Sequence, residues 1–298
     1  MISTQPFGTQ KFRDVKGVRM AYIDEGEGDA IIFQHGQPTS SYVWRNVMPH
    51  LQGLGRLIAC DLVGMGASAK IPGSGPQSYS YAEHRAYLFA LWDALAIGDN
   101  VVLVLDDWGA TLGFEWANRN RGRVKGIVHM EAVALPMGWA DIPEPAHPFF
   151  KALRSPAGED LVLQQNIFIE QRLQPAILRA LDPVELEHYR KPFAEPGEGR
   201  RPTLSWPRSL PLDGDRTEVR QAMEEYIPWI ASEEVPKLLI NGDPGAIMTG
   251  HIREQVRQWR NQDEVTVKGR KILQEDSPHE IGQAVADFVR NVRPRSGG

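Results

Sequence analysis

The segment that says most about the architecture of this protein is Val101-Val102-Leu103-Val104-Leu105-Asp106-Asp107-Trp108-Gly109-Ala110-Thr111-Leu112-Gly113. Its first five residues form the continuous apolar run that is typical of a parallel strand covered on both faces. A helical pattern follows, and the small residues Gly109 and Ala110 allow that helix to begin close to the strand. We therefore predict a strand, a tight turn and a helix, with Asp107 presented at the tip of the turn.

Short apolar runs alternate with helical patterns on either side of this segment. Further strands are predicted at residues 18–23, 30–33, 56–60, 126–130, 237–240 and 265–267, and helices at residues 81–95, 112–118 and 281–292. This alternation predicts an α/β protein, with a mostly parallel sheet and helices on both faces. Such sheets carry their sites beyond the carboxyl ends of the strands. Polar residues do gather after those ends: His35, Gln37, Asp61, Asp106, Asp107, Trp108, Glu131, Asn241 and Asp243.

The alternation stops between residues 135 and 212, where the chain is rich in proline and has helical patterns without a strand. We predict that residues 1–134 and 213–298 form the α/β core and that residues 135–212 form a helical cap over the sheet. The cap carries Phe149, Phe150, Phe168 and Trp206. These aromatic side chains either pack the cap onto the core or line an apolar pocket beneath it, and both roles are compatible.

The composition excludes several classes of function. The net charge of −5 leaves no excess of basic residues to neutralise phosphates, so no nucleic-acid partner is expected. Cys60 is the single cysteine, and it lies in a predicted strand, which makes it a core residue of a fold without disulfides. No run of 18 apolar residues predicts a membrane span, and residues 1–7 lack a signal-peptide pattern. We therefore expect a cytoplasmic monomer.

Two interpretations of Asp107 are open at this point. Aspartate is a favoured residue at the start of a helix, so Asp107 is explained by a capping role alone. The same position suits an ionised carboxylate, because free backbone N–H groups and the helix dipole favour negative charge. Such a carboxylate can attack a carbon that carries a leaving group and form an ester.

Six segments in order along the chain decide between these interpretations, because together they resemble the haloalkane dehalogenases of the α/β-hydrolase fold. The resemblance is to the subfamily whose catalytic acid is a glutamate after the sixth strand. The segments are His35-Gly36 with residues 38–41, Asp61-Leu62 with residues 64–66, Asp107-Trp108-Gly109, Met130-Glu131-Ala132, residues 201–208 and residues 274–278.

The resemblance implies a two-step substitution without a metal or organic cofactor. Asp107 would attack a halogen-bearing carbon and form an alkyl ester, while the indole N–H of Trp108 and the amide of Gln37 hold the leaving halide. A histidine oriented by Glu131 would then activate water to hydrolyse the ester. The implied pocket residues are Phe150, Phe168, Trp206 and Ile247. The partners are a small haloalkane, water and the halide product.

Three departures from the family pattern fall at the chemistry itself. Gln37 stands where the family has asparagine, and its extra CH₂ can overshoot the halide or narrow the pocket. Asp106 stands where the family has histidine, and adds a carboxylate whose charge could raise the pKa of Asp107 or repel halide. Lys271 stands where the family has its base histidine. A lysine beside Asp107 and Glu131 is expected to stay charged in an ion pair, so ester hydrolysis should be slow or stalled.

No other histidine is expected to replace the missing base. His279 is predicted at the start of the last helix, His251 follows a loop near the sheet edge, His129 packs in a strand, and His35 shapes a loop. The alternative function is a binder on the same scaffold, which captures an alkyl ligand on Asp107 or holds it without reaction. An epoxide hydrolase would need tyrosine donors from the cap, where Tyr189 is the only tyrosine.

Overall fold

The computed structural model describes residues 2–215 and 217–292. Eight strands form one sheet in the order β1-β2-β4-β3-β5-β6-β7-β8. Their bounds are β1 Gln10–Val15, β2 Val18–Glu25, β3 Ala30–Gln34, β4 Arg56–Cys60, β5 Val101–Asp106, β6 Val124–Met130, β7 Lys237–Pro244 and β8 Gln262–Gly269. The pairs β1–β2 and β2–β4 are antiparallel, and every other pair is parallel. The α/β fold predicted from the sequence is confirmed.

Ten α-helices accompany this sheet among the described residues. Their bounds are α1 Tyr81–Ala94, α2 Asp107–Arg119, α3 His147–Leu153, α4 Ala157–Glu159, α5 Pro183–Arg190, α6 Arg201–Ser209, α7 Glu218–Ser232, α8 Gly250–Val256, α9 Leu273–Asp276 and α10 Pro278–Asn291. None of them combines the length and the apolar character that a bilayer crossing requires.

The sheet is buried because its central strands are apolar on both faces. All five residues of β3 and all six residues of β5 are buried. Helix α2 follows β5 directly and packs against α7 and the sheet. This packing fixes the direction in which α2 leaves the strand, and so it fixes the turn at Asp107.

Residues 135–212 contain only short helices, and the longest of them, α6, has nine residues. Proline occupies one of the first two positions of α3, α5 and α6, so each helix begins anew after a break. Two π-helical turns, Asp160–Gln164 and Phe168–Arg172, lie between them. One isolated parallel bridge joins Met137 to Leu212, near the two ends of this segment.

Outside residues 135–212, the elements that the sequence analysis missed are strand β1 and helices α7, α8 and α9. Strand β1 is largely exposed and carries no apolar alternation, so its sequence gives little strand signal. Helix α7 did have a signal. Thr217 caps its first turn by accepting a hydrogen bond from the Arg220 N–H, and its buried residues recur at helical spacing: Val219, Ala222, Met223, Tyr226, Trp229 and Ile230.

Candidate active site

The turn between β5 and α2 holds Asp107 in a conformation that few residues adopt. Asp107 has a φ of +52°, in the left-handed region. The helix cap is Asp106, and its side chain makes no capping hydrogen bond. A Cβ on Gly36 would lie 2.2 Å from Oδ1 of Asp107, and one on Gly109 would lie 2.5 Å from two backbone oxygens. Both glycines are therefore required for the close approach that this turn needs.

The two oxygens of the Asp107 carboxylate have different partners. Oδ1 accepts a hydrogen bond of 2.8 Å from the backbone N–H of Gln37. Oδ2 lies 3.0 Å from Nζ of Lys271. The Asp107 side chain is 3% exposed, and it lines a cavity of about 620 Å³. The carboxylate is thus directed at a cavity and does not cap the helix.

Lys271 forms the predicted ion pair and stays charged. Its Nζ also donates a hydrogen bond of 2.6 Å to the backbone oxygen of Gln37. Burial is the largest influence and works to lower the pKa of Lys271, but the carboxylates of Asp107, Asp106 and Glu131 together outweigh it. The pKa is therefore raised above its usual value. An ammonium in this state cannot take a proton from water.

Glu131 lies at the end of β6 with its side chain fully buried. Its Oε2 accepts hydrogen bonds from the backbone N–H groups of Ala246, at 2.8 Å, and Ile247, at 2.6 Å. Its Oε1 has no hydrogen-bond partner among the described residues. Burial raises the pKa of Glu131 to about 7, although these backbone bonds and Lys271 oppose the rise. Glu131 acts on Lys271 through charge, without a hydrogen bond between them in the described ranges.

Asp106 is buried beneath the turn, and its Oδ1 has no hydrogen-bond partner among the described residues. Burial, followed by the neighbouring charge of Asp107, raises the pKa of Asp106 well above its usual value. Both effects disfavour the charged form of Asp106, and so they oppose the second negative charge that the sequence suggests beside Asp107.

The two residues expected to hold halide differ in their availability. The Nε2 of Gln37 donates a hydrogen bond of 2.8 Å to the backbone oxygen of Thr203 in α6, so one of its two N–H groups is occupied. Trp108 lines the cavity, and its indole N–H has no hydrogen-bond partner in the described part of the chain. The indole N–H of Trp108 is therefore open to a ligand, and Gln37 keeps one N–H group.

Three of the four predicted pocket residues line the cavity, namely Phe150, Phe168 and Ile247. The prediction for Trp206 is wrong. Its side chain is fully buried, and its ring stacks on Trp108 at 4.8 Å and on His84 at 4.1 Å between centroids. Trp206 thus backs the wall that Trp108 forms.

Phe149, which the sequence offered as either a packing or a pocket residue, also lines the cavity. Several other cavity residues were missed, and those from residues 135–212 are Met137, Asp141, Ile142, Pro143, Arg172, Leu173, Pro175, Ala176, Pro207 and Leu210. An aliphatic residue in a helix gives the same sequence pattern whether it faces a cavity or a core.

None of the described histidines lines the cavity. Nδ1 of His279 lies 3.0 Å from Nε2 of His50, and Nδ1 of His251 lies 2.6 Å from Oδ1 of Asp141. His129 is buried and bonds to Gln262, while His35 accepts a hydrogen bond from the backbone N–H of Leu62. Lys271 is therefore the basic side chain that contacts Asp107.

Comparisons with known proteins agree with this geometry. A family model described as the α/β hydrolase fold matches residues 29–278. A haloalkane dehalogenase of Sphingobium indicum is 58% identical over 98% of this chain and 99% of its own length. One from Mycolicibacterium smegmatis is 56% identical over 98% of this chain and 94% of its own. The crystal structure of haloalkane dehalogenase DatA from Agrobacterium tumefaciens C58 superposes with a TM-score of 0.89, at 32% identity over 96% of this chain and 98% of that one.

Proposed function

This chain belongs to the haloalkane dehalogenases of the α/β hydrolase fold, and we propose that Asp107 is the nucleophile with which it breaks carbon–halogen bonds. It is a hydrolase acting on carbon–halide bonds. One observation carries the proposal: a carboxylate that is 3% exposed and paired with Lys271 lies at a tight strand-to-helix turn and lines a largely apolar cavity.

The first step follows from the surroundings of the two carboxylate oxygens. Oδ1 is held by the backbone N–H of Gln37, whereas the partner of Oδ2 is the side chain of Lys271, which can move. Oδ2 is therefore the oxygen that turns toward a substrate carbon. Oδ2 attacks that carbon, the carbon–halogen bond breaks, and the halide leaves beside the indole N–H of Trp108. The product is an alkyl ester on Asp107. Residues 135–212 would form the cap that encloses the alkyl chain, and Phe150 and Phe168 of this cap line the cavity.

The second step is the one that this chain is poorly equipped to perform. Hydrolysis of the ester needs a base that takes a proton from water. Lys271 occupies the place from which a base would act, and it is charged. Glu131, which would orient a base, makes its hydrogen bonds to Ala246 and Ile247 instead. We therefore propose that the ester forms and that its hydrolysis is stalled.

A second candidate function follows from the same ion pair. A protein that alkylates Asp107 once and then stops is a covalent binder of haloalkanes, not an enzyme that turns over. The observation that favours it is the 3.0 Å contact between Lys271 and Asp107, because it leaves no neutral base at the carboxylate.

The Lys271→His variant separates turnover from single capture. We expect it to release bromide from 1-bromobutane continuously, with a steady-state rate about 10²–10⁴-fold above that of the unchanged protein, which is the usual contribution of a general base. Lys271→Gln is the matched control, because it removes the ion pair without supplying a base. Equal steady-state rates for the two variants would show that position 271 is not the base position.

A further inference from the structure

We propose that alkylation of Asp107 converts its ion pair with Lys271 into a covalent cross-link, in which the Lys271 amine displaces the alcohol from the Asp107 ester. The product is an amide bond between the turn that follows β5 and the loop that follows β8. This inference rests on the proposed function, because it begins from the alkyl ester.

Direct attack is favoured over base catalysis by the contact itself. Nζ of Lys271 lies 3.0 Å from Oδ2 of Asp107, one bond from the carbonyl carbon of the future ester. Reacting atoms in a productive complex are about 3–3.5 Å apart, and an amine in contact with Oδ2 is within about one bond length of that separation from the carbon. A base that acts through water needs two consecutive hydrogen bonds, which span about 5.5 Å. Because Nζ already contacts the carboxylate, no water fits between them.

Hydrogen bonds made by the loop around Lys271 also hold the residue at this contact. Its backbone N–H donates to the backbone oxygen of Ala176 at 3.1 Å. The carboxylate of Asp276 accepts hydrogen bonds from the backbone N–H groups of Arg270, Leu178 and Arg179. The loop is thus tied to residues 176–179, and the amine has little freedom to leave the site.

Alkylation removes the reason for Lys271 to stay charged. The Asp107 ester is neutral, so the ammonium loses the largest of the charges that opposed the effect of its burial, together with its hydrogen bond to that carboxylate. About a quarter of the Lys271 side chain is exposed, and it lines the cavity, so its proton passes to cavity water. The amine that remains is a stronger nucleophile than the water that would otherwise attack.

The step balances without any further reactant. Nζ forms a bond to the carbonyl carbon of Asp107, and the negative charge on Oδ1 is held by the backbone N–H of Gln37. The bond from that carbon to Oδ2 then breaks, and the departing alkoxide takes a proton from the new ammonium. In total, one haloalkane yields one alcohol, one halide and one proton, and the chain loses the atoms of one water molecule.

The test is the intact mass of the full chain after incubation with 1-bromobutane, followed by peptide mapping. We expect a mass lower by one water than that of the untreated chain, and a branched peptide that joins Asp107 to Lys271. Trypsin should no longer cleave after Lys271. The Lys271→Met variant is the matched control, and it should instead retain a butyl group on Asp107.

The other outcomes of this experiment distinguish failure of the cross-link from failure of the proposed function. A stable butyl ester on Asp107 in the unchanged chain would overturn the cross-link and leave the nucleophile in place. An unmodified chain that has released many bromide ions would also overturn it, since that result requires hydrolysis. An unmodified chain that has released no bromide would overturn both the cross-link and the proposed function.

Discussion

A single carboxylate in this protein faces two different environments. One oxygen of Asp107 meets a backbone N–H group and the other meets the ammonium of Lys271. The N–H group is fixed by the fold, whereas the ammonium is a side chain that responds to charge. In the proposed reaction, the N–H group stabilises the negative charge that develops on Oδ1 when the ester is attacked. Oδ2, whose partner can move, is the oxygen that attacks the substrate.

Sequence alone predicted the identity of these residues better than their contacts. The ion pair of Lys271 with Asp107 followed from opposite charges near one another, and it is present. The raised pKa of Asp106 and the bond from Gln37 to Thr203 did not follow, because each depends on burial or on a residue far along the chain. Gln37 and Thr203 are 166 positions apart, and no local pattern connects them.

His84 offers a test at the scale of one residue. It is fully buried, stacks on Trp206, and neither ring nitrogen has a hydrogen-bond partner in the described ranges. Burial, with a smaller contribution from the charge of His35, lowers the pKa of His84 to about 3. The unfolded residue, with a pKa of about 6.5, binds a proton at a pH at which the folded residue does not. The free energy of unfolding should therefore fall as the pH drops below about 6.5.

The His84→Phe variant should lose less stability in acid than the unchanged chain, because phenylalanine keeps the stack and cannot be protonated. Between pH 7.5 and pH 5, we expect the unchanged chain to lose about 2 kcal/mol more than the variant. Urea unfolding at the two pH values measures this difference. Equal losses in both proteins would mean that His84 is protonated in the folded state.

At the scale of elements, a buried group of charges joins three segments of the chain. Arg45, which follows β3, donates to both oxygens of Glu275 in α9, at 2.7 and 2.8 Å, and to Glu185 in α5, at 2.5 Å. Arg179 contacts the same two carboxylates, and Tyr189 donates to Glu275. Helix α9 begins two residues after Lys271, so this group also anchors the loop that carries it.

The Arg45→Met variant should be strongly destabilised, because it leaves Glu275 and Glu185 buried with one cation in place of two. Breaking a buried pair costs about 3–5 kcal/mol. Arg190→Met is the matched control, since its pair with Glu170 is about one-third exposed, and such surface pairs contribute about 0–1 kcal/mol. Urea unfolding compares the two variants, and similar losses would show that the buried group does not stabilise the fold.

The elements predicted most accurately were those whose apolar residues follow one clear pattern along the chain. Strand β5 was predicted to within one residue at its end, because a strand buried on both faces is apolar throughout. The helices of residues 135–212 were not, because their boundaries depend on prolines and on packing against the sheet. Their lengths are set by the tertiary structure, and the local sequence does not contain that information.

At the scale of the whole molecule, the site is assembled from distant parts of the chain. Gln37, Asp107, Glu131 and Lys271 follow four different strands, and they meet because parallel strands end at one edge of the sheet. The alternation of strands and helices was sufficient to predict that edge. It was not sufficient to predict the cavity wall, which comes largely from residues 135–212.

The account depends most on Asp107 acting as a nucleophile that is used once. The most direct measurement is the number of bromide ions released per chain from excess 1-bromobutane, for the unchanged protein and for Asp107→Asn. The account predicts one bromide per chain from the first protein and none from the second. Release of many bromide ions by the unchanged chain, or equal release by the Asp107→Asn variant, would contradict it.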